Sequence, residues 1–134
     1  MTNINAIFII DDDPITVFGI KKMLSNIGFS KFINSFKNGK LALDEIKEML
    51  VAEETIPEVI FLDLNMPIMD GWTFLEGLIA LPITKKIKVN IVTSSIDPVD
   101  QKKSFYFNEH THHSVKYATK PIKKSEIELM VQST

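Results

Sequence analysis

Apolar residues along this chain fall in two alternating patterns. Short runs rich in apolar and β-branched residues are each followed by a stretch with apolar residues three or four apart. Ile4–Ile10 is a β-branched run that stops abruptly at Asp11-Asp12-Asp13-Pro14. A run apolar at every position but Asn5 predicts a strand buried on both faces, as in a parallel sheet. Asp13 then offers a helix cap and Pro14 a first helical residue. Val17, Ile20, Leu24 and Ile27 form one stripe of that helix, and Gly28 stands where a left-handed terminating residue belongs.

The same unit recurs four more times. Lys31–Phe36 predicts a second strand, and Leu43, Ile46, Met49 and Leu50 a helix starting near Asn38-Gly39. Val59–Asp63 predicts a third strand, 65–71 a loop and Trp72–Leu81 a helix, with Trp72, Phe74, Leu75 and Leu78 as packing residues. Ile87–Thr93 predicts a fourth strand, followed by a helix opening at Asp97-Pro98. Val115–Thr119 predicts a fifth, followed by a short helix over Lys123–Val131. Only Ser104–Ser114 lacks a clean period. Strands that alternate with helices predict right-handed crossovers and one parallel sheet with helices on both faces.

Composition and charge exclude several function classes. The 134 residues suit one domain, which buries roughly two-thirds of its unfolded surface. No cysteine is present, so disulfide frameworks, thiolate metal sites and cysteine nucleophiles are excluded. No apolar run approaches the ~20 residues of a membrane span, and the start MTNINA lacks a signal peptide's basic region, so the expected location is the cytoplasm. All fifteen basic residues are lysines, and the net charge is −2. Without guanidinium forks, direct nucleic-acid binding is not expected. Charge is also uneven: residues 1–84 carry 6 Lys and 12 Asp/Glu, residues 85–134 carry 9 Lys and 5 Asp/Glu. An acidic first half suits a cation, and a lysine-rich second half suits an anionic group or face.

The polar residues that end the strands show what chemistry to expect. In an open α/β sheet, ligands bind beyond the carboxyl ends of the strands. Here the first strand ends in Asp11-Asp12-Asp13, the third in Asp63, the fourth in Thr93-Ser94-Ser95 and the fifth in Lys120. Carboxylates crowded on one rim invite a hard cation such as Mg²⁺, which takes one or two of them together with a phosphate oxygen. A hydroxyl and a lysine add donors for phosphoryl oxygens, and an aspartate so placed can act as a nucleophile forming an acyl phosphate.

Four pieces in register, IIDDDP at 9–14, FLDLNMPIMDG at 61–71, VTS at 92–94 and TKP at 119–121, resemble the receiver domain of two-component response regulators. The resemblance covers about residues 5–130 of one domain spanning 1–134. It implies a flavodoxin-like, doubly wound sheet of five parallel strands in order 2-1-3-4-5. It implies that Asp63 accepts a phosphoryl group from a histidine kinase or histidine phosphotransfer protein. Asp12, Asp63 and the backbone carbonyl of Asn65 would bind Mg²⁺, with Asp11 acting through water. Thr93 and Lys120 would contact the phosphoryl group, Asn65, Ser94 and Ser95 would govern its access and lifetime, and the bond before Pro121 would be cis.

The resemblance also implies a switch. Thr93 moves toward the phosphoryl group and Tyr117 turns inward, changing the face formed by the fourth helix, fifth strand and fifth helix. That face carries Lys102, Lys103, Lys116, Lys123 and Lys124, and would meet an output protein or a second copy of the chain. Such a protein is a signalling switch rather than an enzyme, apart from its own phosphorylation and self-dephosphorylation. The Met1 start favours a natural N-terminus; the other end is open.

Plainer readings stand beside these. Asp11 to Asp13 fit a helix start, Asp63 an Asx turn, Lys120 a solvated lysine and Tyr117 a static strand residue. A haloacid-dehalogenase-type phosphatase also places aspartates one residue apart after a strand, as Asp11 and Asp13 do, but its last acidic motif follows the lysine, whereas Asp63 precedes Lys120. A receiver-like module that works without phosphorylation is a further rival, though the acid pair, Asp63, Thr93 and Lys120 are all present. His110, His112 and His113 read as solvated loop histidines rather than a metal site.

Overall fold

Five parallel strands in the order β2-β1-β3-β4-β5 form the centre of the computed structural model, which describes residues 4–29 and 32–132. The elements are β1 Ala6–Ile10, α1 Pro14–Asn26, β2 Phe32–Phe36, α2 Gly39–Val51, β3 Val59–Leu62, α3 Gly71–Ala80, β4 Lys88–Thr93, α4 Pro98–Glu109, β5 Ser114–Thr119 and α5 Lys124–Val131. The expected fold class and strand order are therefore those observed. Lys31, the expected start of the second strand, lies outside the described residues.

The continuous apolar runs behave as a doubly covered sheet demands. Every residue of β1 and β3 is buried. Alternate side chains enter two cores. Ile7, Ile9, Val59, Phe61 and Val92 pack under α1 and α5 through Ile20, Leu24, Ile127 and Val131. Phe8, Ile10, Ile60, Leu62, Val89 and Ile91 pack under α2 and α3 through Leu43, Ile46, Phe74 and Leu78, with Phe107 of α4 at the margin.

Side-chain caps place the helix starts. Asp13 accepts from the Ile15 N–H, Asn38 from Leu41, Asp70 from Thr73 and Asp97 from Val99, each near 3 Å. Capping by Asp70 starts α3 one residue earlier than the apolar spacing indicated. Gly28 ends α1 at φ +88°, the left-handed conformation that its lack of a Cβ permits.

The segment without a clean period is the second half of α4 and a short turn. The helix rests on β5 with a narrow stripe: Ser104 is its one buried residue, Phe107 is half-buried, and Phe105 and Tyr106 face solvent. So narrow a contact leaves little amphipathic signal in the sequence.

One glycine is required by the loop that carries Asp63. A Cβ at Gly71 would overlap the Asp63 carbonyl oxygen and sit 2.9 Å from Leu64 Cα, both backbone atoms that cannot swing away. Gly71→Ala is expected to cost about 2–3 kcal/mol, read as a lower urea midpoint. An unchanged midpoint would show that the loop re-forms around the methyl group.

Candidate functional site

Each strand-end residue is held in place by a backbone bond that continues the sheet. The Asp11 N–H donates to the Phe36 carbonyl (2.9 Å), the Asp63 N–H to Ile10 (2.9 Å) and the Lys120 N–H to Thr93 (2.8 Å). Parallel pairing thus carries the carboxyl ends of β1, β3, β4 and β5 to one rim.

Four of the expected residues meet there. Carboxylate oxygens of Asp11, Asp12 and Asp63 all lie within 4.8 Å of one another, the one group of this kind among the described residues. Lys120 Nζ stands 3.1 Å from Asp11 Oδ2 and 3.8 Å from Asp63 Oδ2. Asp11 and Asp63 are buried, at 5% and 6% exposure, while Asp12 faces solvent. The Asp13 N–H donates to Asp11 Oδ1 and the Leu64 N–H to Asp63 Oδ1, both at 2.9 Å. Asp13 itself turns away, receiving the Ile15 N–H and the Thr16 hydroxyl.

Burial and like charge decide the electrostatics. Burial pushes the Asp63 carboxyl up to about 6, the Asp11 charge adds to this, and Lys120 and the Leu64 N–H oppose it. Asp11 is also raised, because burial outweighs the Asp13 N–H and Lys120. Asp13 is lowered by the Thr16 hydroxyl and the Ile15 N–H. One lysine against three carboxylates leaves excess negative charge, and hard oxygen donors open to solvent at Asp12 fit a small divalent cation.

The remaining expected residues lie on β4, β5, α4 and α5 and in the loops that follow β3, β4 and β5. Thr93 is fully buried at the end of β4, and its Oγ1 accepts from the Ser95 N–H at 3.2 Å. Tyr117 is half-buried, and its hydroxyl donates to the Ser95 carbonyl at 2.8 Å. The Lys120–Pro121 peptide is cis. Asn65 and Ser94 are exposed in the loops after β3 and β4, and Ser95 is half-buried. Lys102, Lys103, Lys116, Lys123 and Lys124 are all exposed on α4, β5 and the start of α5.

The histidine reading needs correction at one position. His110 and His112 are exposed, but His113 is 2% exposed and its Nδ1 accepts the Ile87 N–H at 2.9 Å. Burial, then the neighbouring His112, pushes its imidazole down to about 4, so it is neutral. The signal was parity: His113 lies two residues before Val115, an inward residue of β5. A second arrangement left no mark in the sequence. Trp72 Nε1 donates to Asp100 Oδ1 at 3.1 Å, and Ser95 Oγ donates to Asp100 Oδ2 at 2.6 Å, across 28 and 5 residues of chain.

The strand order, with an acidic pocket and a lysine on the carboxyl rim, defines a doubly wound α/β protein of the flavodoxin-like class. The family follows from the sequence comparison. Residues 7–132 match the family model of the response regulator receiver domain, and the chain belongs to that family, the phosphoaccepting domain of two-component response regulators. A two-component response regulator from Cytophaga hutchinsonii superposes with TM-score 0.78 at 27% identity, covering 95% of this chain and 93% of that one. The probable methanogenesis regulatory protein FilR2 of Methanothrix harundinacea is 23% identical over 126 residues, 94% of this chain and 78% of FilR2. The nitrate/nitrite response regulator NarL of Escherichia coli K12 is 30% identical over 94 residues, 70% of this chain but 41% of NarL. Among the described residues no helix is long and apolar enough to cross a membrane.

Proposed function

We propose that this chain is a cytoplasmic, phosphorylation-activated switch, one receiver unit over residues 1–134, with Asp63 as the phosphoryl acceptor. The observation that carries this reading is the placement of the Asp63 carboxylate, 6% exposed, within reach of Asp11, Asp12 and Lys120. An Asp63 oxygen attacks the phosphorus of a phosphohistidine on a histidine kinase or histidine phosphotransfer protein. A P–O bond forms as the P–N bond breaks, and the leaving imidazole takes a proton from solvent.

Asp12, Asp63 and the Asn65 carbonyl hold Mg²⁺, with Asp11 acting through water. When bound, the ion supplies positive charge against the phosphoryl oxygens. Lys120 pairs with one of those oxygens and the Thr93 hydroxyl donates to another. Ser94 leaves the approach open, and Asn65 and Ser95 govern how readily water attacks phosphorus in self-dephosphorylation. The move of Thr93 stabilises Tyr117 in its inward position, and the exposed lysines of α4, β5 and α5 present the changed face to an acidic output protein or to a second copy.

The test is intact mass after incubation with Mg²⁺ and a small acyl-phosphate donor, beside an Asp63→Asn control. Gain of one phosphoryl group, absent without Mg²⁺ and absent in the control, is the expected result. Wild-type protein that stays folded yet takes neither the phosphoryl group nor beryllofluoride would be a phosphorylation-independent binding module instead.

A further inference from the structure

Ser95 takes part in four hydrogen bonds, one of them a local bond in which its Oγ accepts from the Asp97 N–H (3.3 Å), and the other three run in different directions. Its N–H donates to Thr93 Oγ1 (3.2 Å), its carbonyl accepts from the Tyr117 hydroxyl (2.8 Å), and its Oγ donates to Asp100 Oδ2 (2.6 Å). The third bond is unusual in its source. Asp100 lies in the first turn of α4, where acids commonly serve the helix start, but Asp97 already caps that helix through Val99. The Asp100 carboxylate instead reaches back to Ser95 and across to Trp72 Nε1 at 3.1 Å on α3. Both of its oxygens therefore receive hydrogen bonds to a charged acceptor, the stronger class of such bonds.

Trp72 is itself immobilised. Its ring stacks on Phe107 with centroids 5.6 Å apart and planes 13° from parallel, and Lys103 Nζ lies 5.1 Å from its centroid. The chain of contacts thus runs from a fixed ring on α3, through Asp100, to the Ser95 carbonyl on which the Tyr117 hydroxyl rests.

We propose that Asp100 and Trp72 are positioning residues: they clamp the β4–α4 loop so that Ser95 holds the Tyr117 hydroxyl inward before any phosphoryl group arrives. The clamp rests on the receiver reading above for its consequence, though not for its existence. A contact that favours one of two arrangements also favours whatever ligand prefers that arrangement. Because the inward Tyr117 is the arrangement that accompanies a bound phosphoryl group, the clamp speeds phosphoryl uptake at Asp63. Neither residue touches the acceptor; both act through Ser95 and Tyr117.

A double-mutant cycle tests this. Phosphoryl uptake from a small acyl-phosphate donor with Mg²⁺ is followed by intact mass in wild type, Asp100→Ala, Tyr117→Phe and the double variant. Asp100→Ala is expected to slow uptake about fivefold, and to have almost no further effect once the Tyr117 hydroxyl is gone. Equal slowing in both backgrounds would overturn the proposal, because a merely structural loss would not depend on that hydroxyl. Trp72→Phe keeps the stacked ring but loses the N–H, and is expected to slow uptake in the same direction. Normal uptake in a folded Trp72→Phe protein would remove Trp72 from the clamp.

A second arm needs no phosphorylation. Trp72 is the single tryptophan of the chain, so its fluorescence reports one place. In unphosphorylated protein, Tyr117→Phe is expected to raise acrylamide quenching of Trp72 about twofold, because the loop loses one of its anchors. Unchanged quenching would overturn the clamp. If wild type takes up neither the phosphoryl group nor beryllofluoride, the receiver reading fails, while the quenching result still decides whether the clamp exists.

Discussion

Lys120→Ala is expected to destabilise the metal-free protein by about 2–3 kcal/mol near pH 7.5, and by much less near pH 5. The ammonium lies 3.1 Å from Asp11 and 3.8 Å from Asp63, two carboxylates only 5% and 6% exposed. Removing one partner from a buried ion pair leaves the desolvation cost of the others unbalanced, which typically costs about 3–5 kcal/mol. Lys120 is itself 19% exposed and Asp12 opens the pocket to water, so the lower figure applies. Without the lysine, Asp11 and Asp63 are raised further and take up protons closer to neutrality. Acidification then discharges the repulsion in the folded variant, and the deficit against wild type closes. Urea unfolding of both proteins at pH 7.5 and 5 measures this. A deficit independent of pH would assign the contribution to the packing of the lysine stem, not to its charge.

Asp63→Asn is expected to act in the opposite direction, stabilising the metal-free protein by about 1–2 kcal/mol near pH 7.5. The sign follows from the Asp63 carboxyl at about 6 in the folded protein, above its ordinary value of 3.8. Between those two values the folded state binds more protons than the unfolded state, so this group adds stability as pH falls and removes it as pH rises. Asparagine avoids that loss while keeping an oxygen for the Leu64 N–H. The advantage of the variant should therefore fade toward pH 4, where the wild-type carboxyl is protonated as well. Added Mg²⁺ is expected to stabilise wild type more than the variant at pH 7.5, and to lose that effect below pH 6 as protons compete for the same oxygens. Thermal midpoints over pH 4–8, with and without Mg²⁺, provide the readout. A wild type more stable than Asp63→Asn in metal-free buffer at pH 7.5 would show that Lys120 and the Leu64 N–H outweigh burial.

These two substitutions act on one small pocket whose members were legible from the chain because of topology. Ala6–Ile10 and Val59–Leu62 are buried at every position, so they stand out as unbroken apolar runs. Parallel strands joined by helices all point the same way, so whatever follows each run arrives at the same rim. Asp11, Asp12, Asp63 and Lys120 are brought together for that reason, although as many as 109 residues of chain separate them. The caps at Asp13 and Asp97, and the helix start near Asn38, were legible because capping is local chemistry between residues two or three apart.

Other features had no local cause. The course of α4 through Ser104–Glu109 was hidden because the helix buries only Ser104 and lays Phe105 and Tyr106 into solvent. The burial of His113 depends on the Ile87 N–H, 26 residues away, and the Ser95–Asp100–Trp72 contacts depend on how α3 and α4 lie against each other. The βα rhythm, the parallel sheet and the residues of its acidic rim could be read along the chain alone, since periodicity and caps act within a few residues. Which carboxylates are buried, which of them Lys120 reaches and what holds Tyr117 against Ser95 came from the packed fold, because desolvation and helix-to-helix contact arise only when distant segments pack.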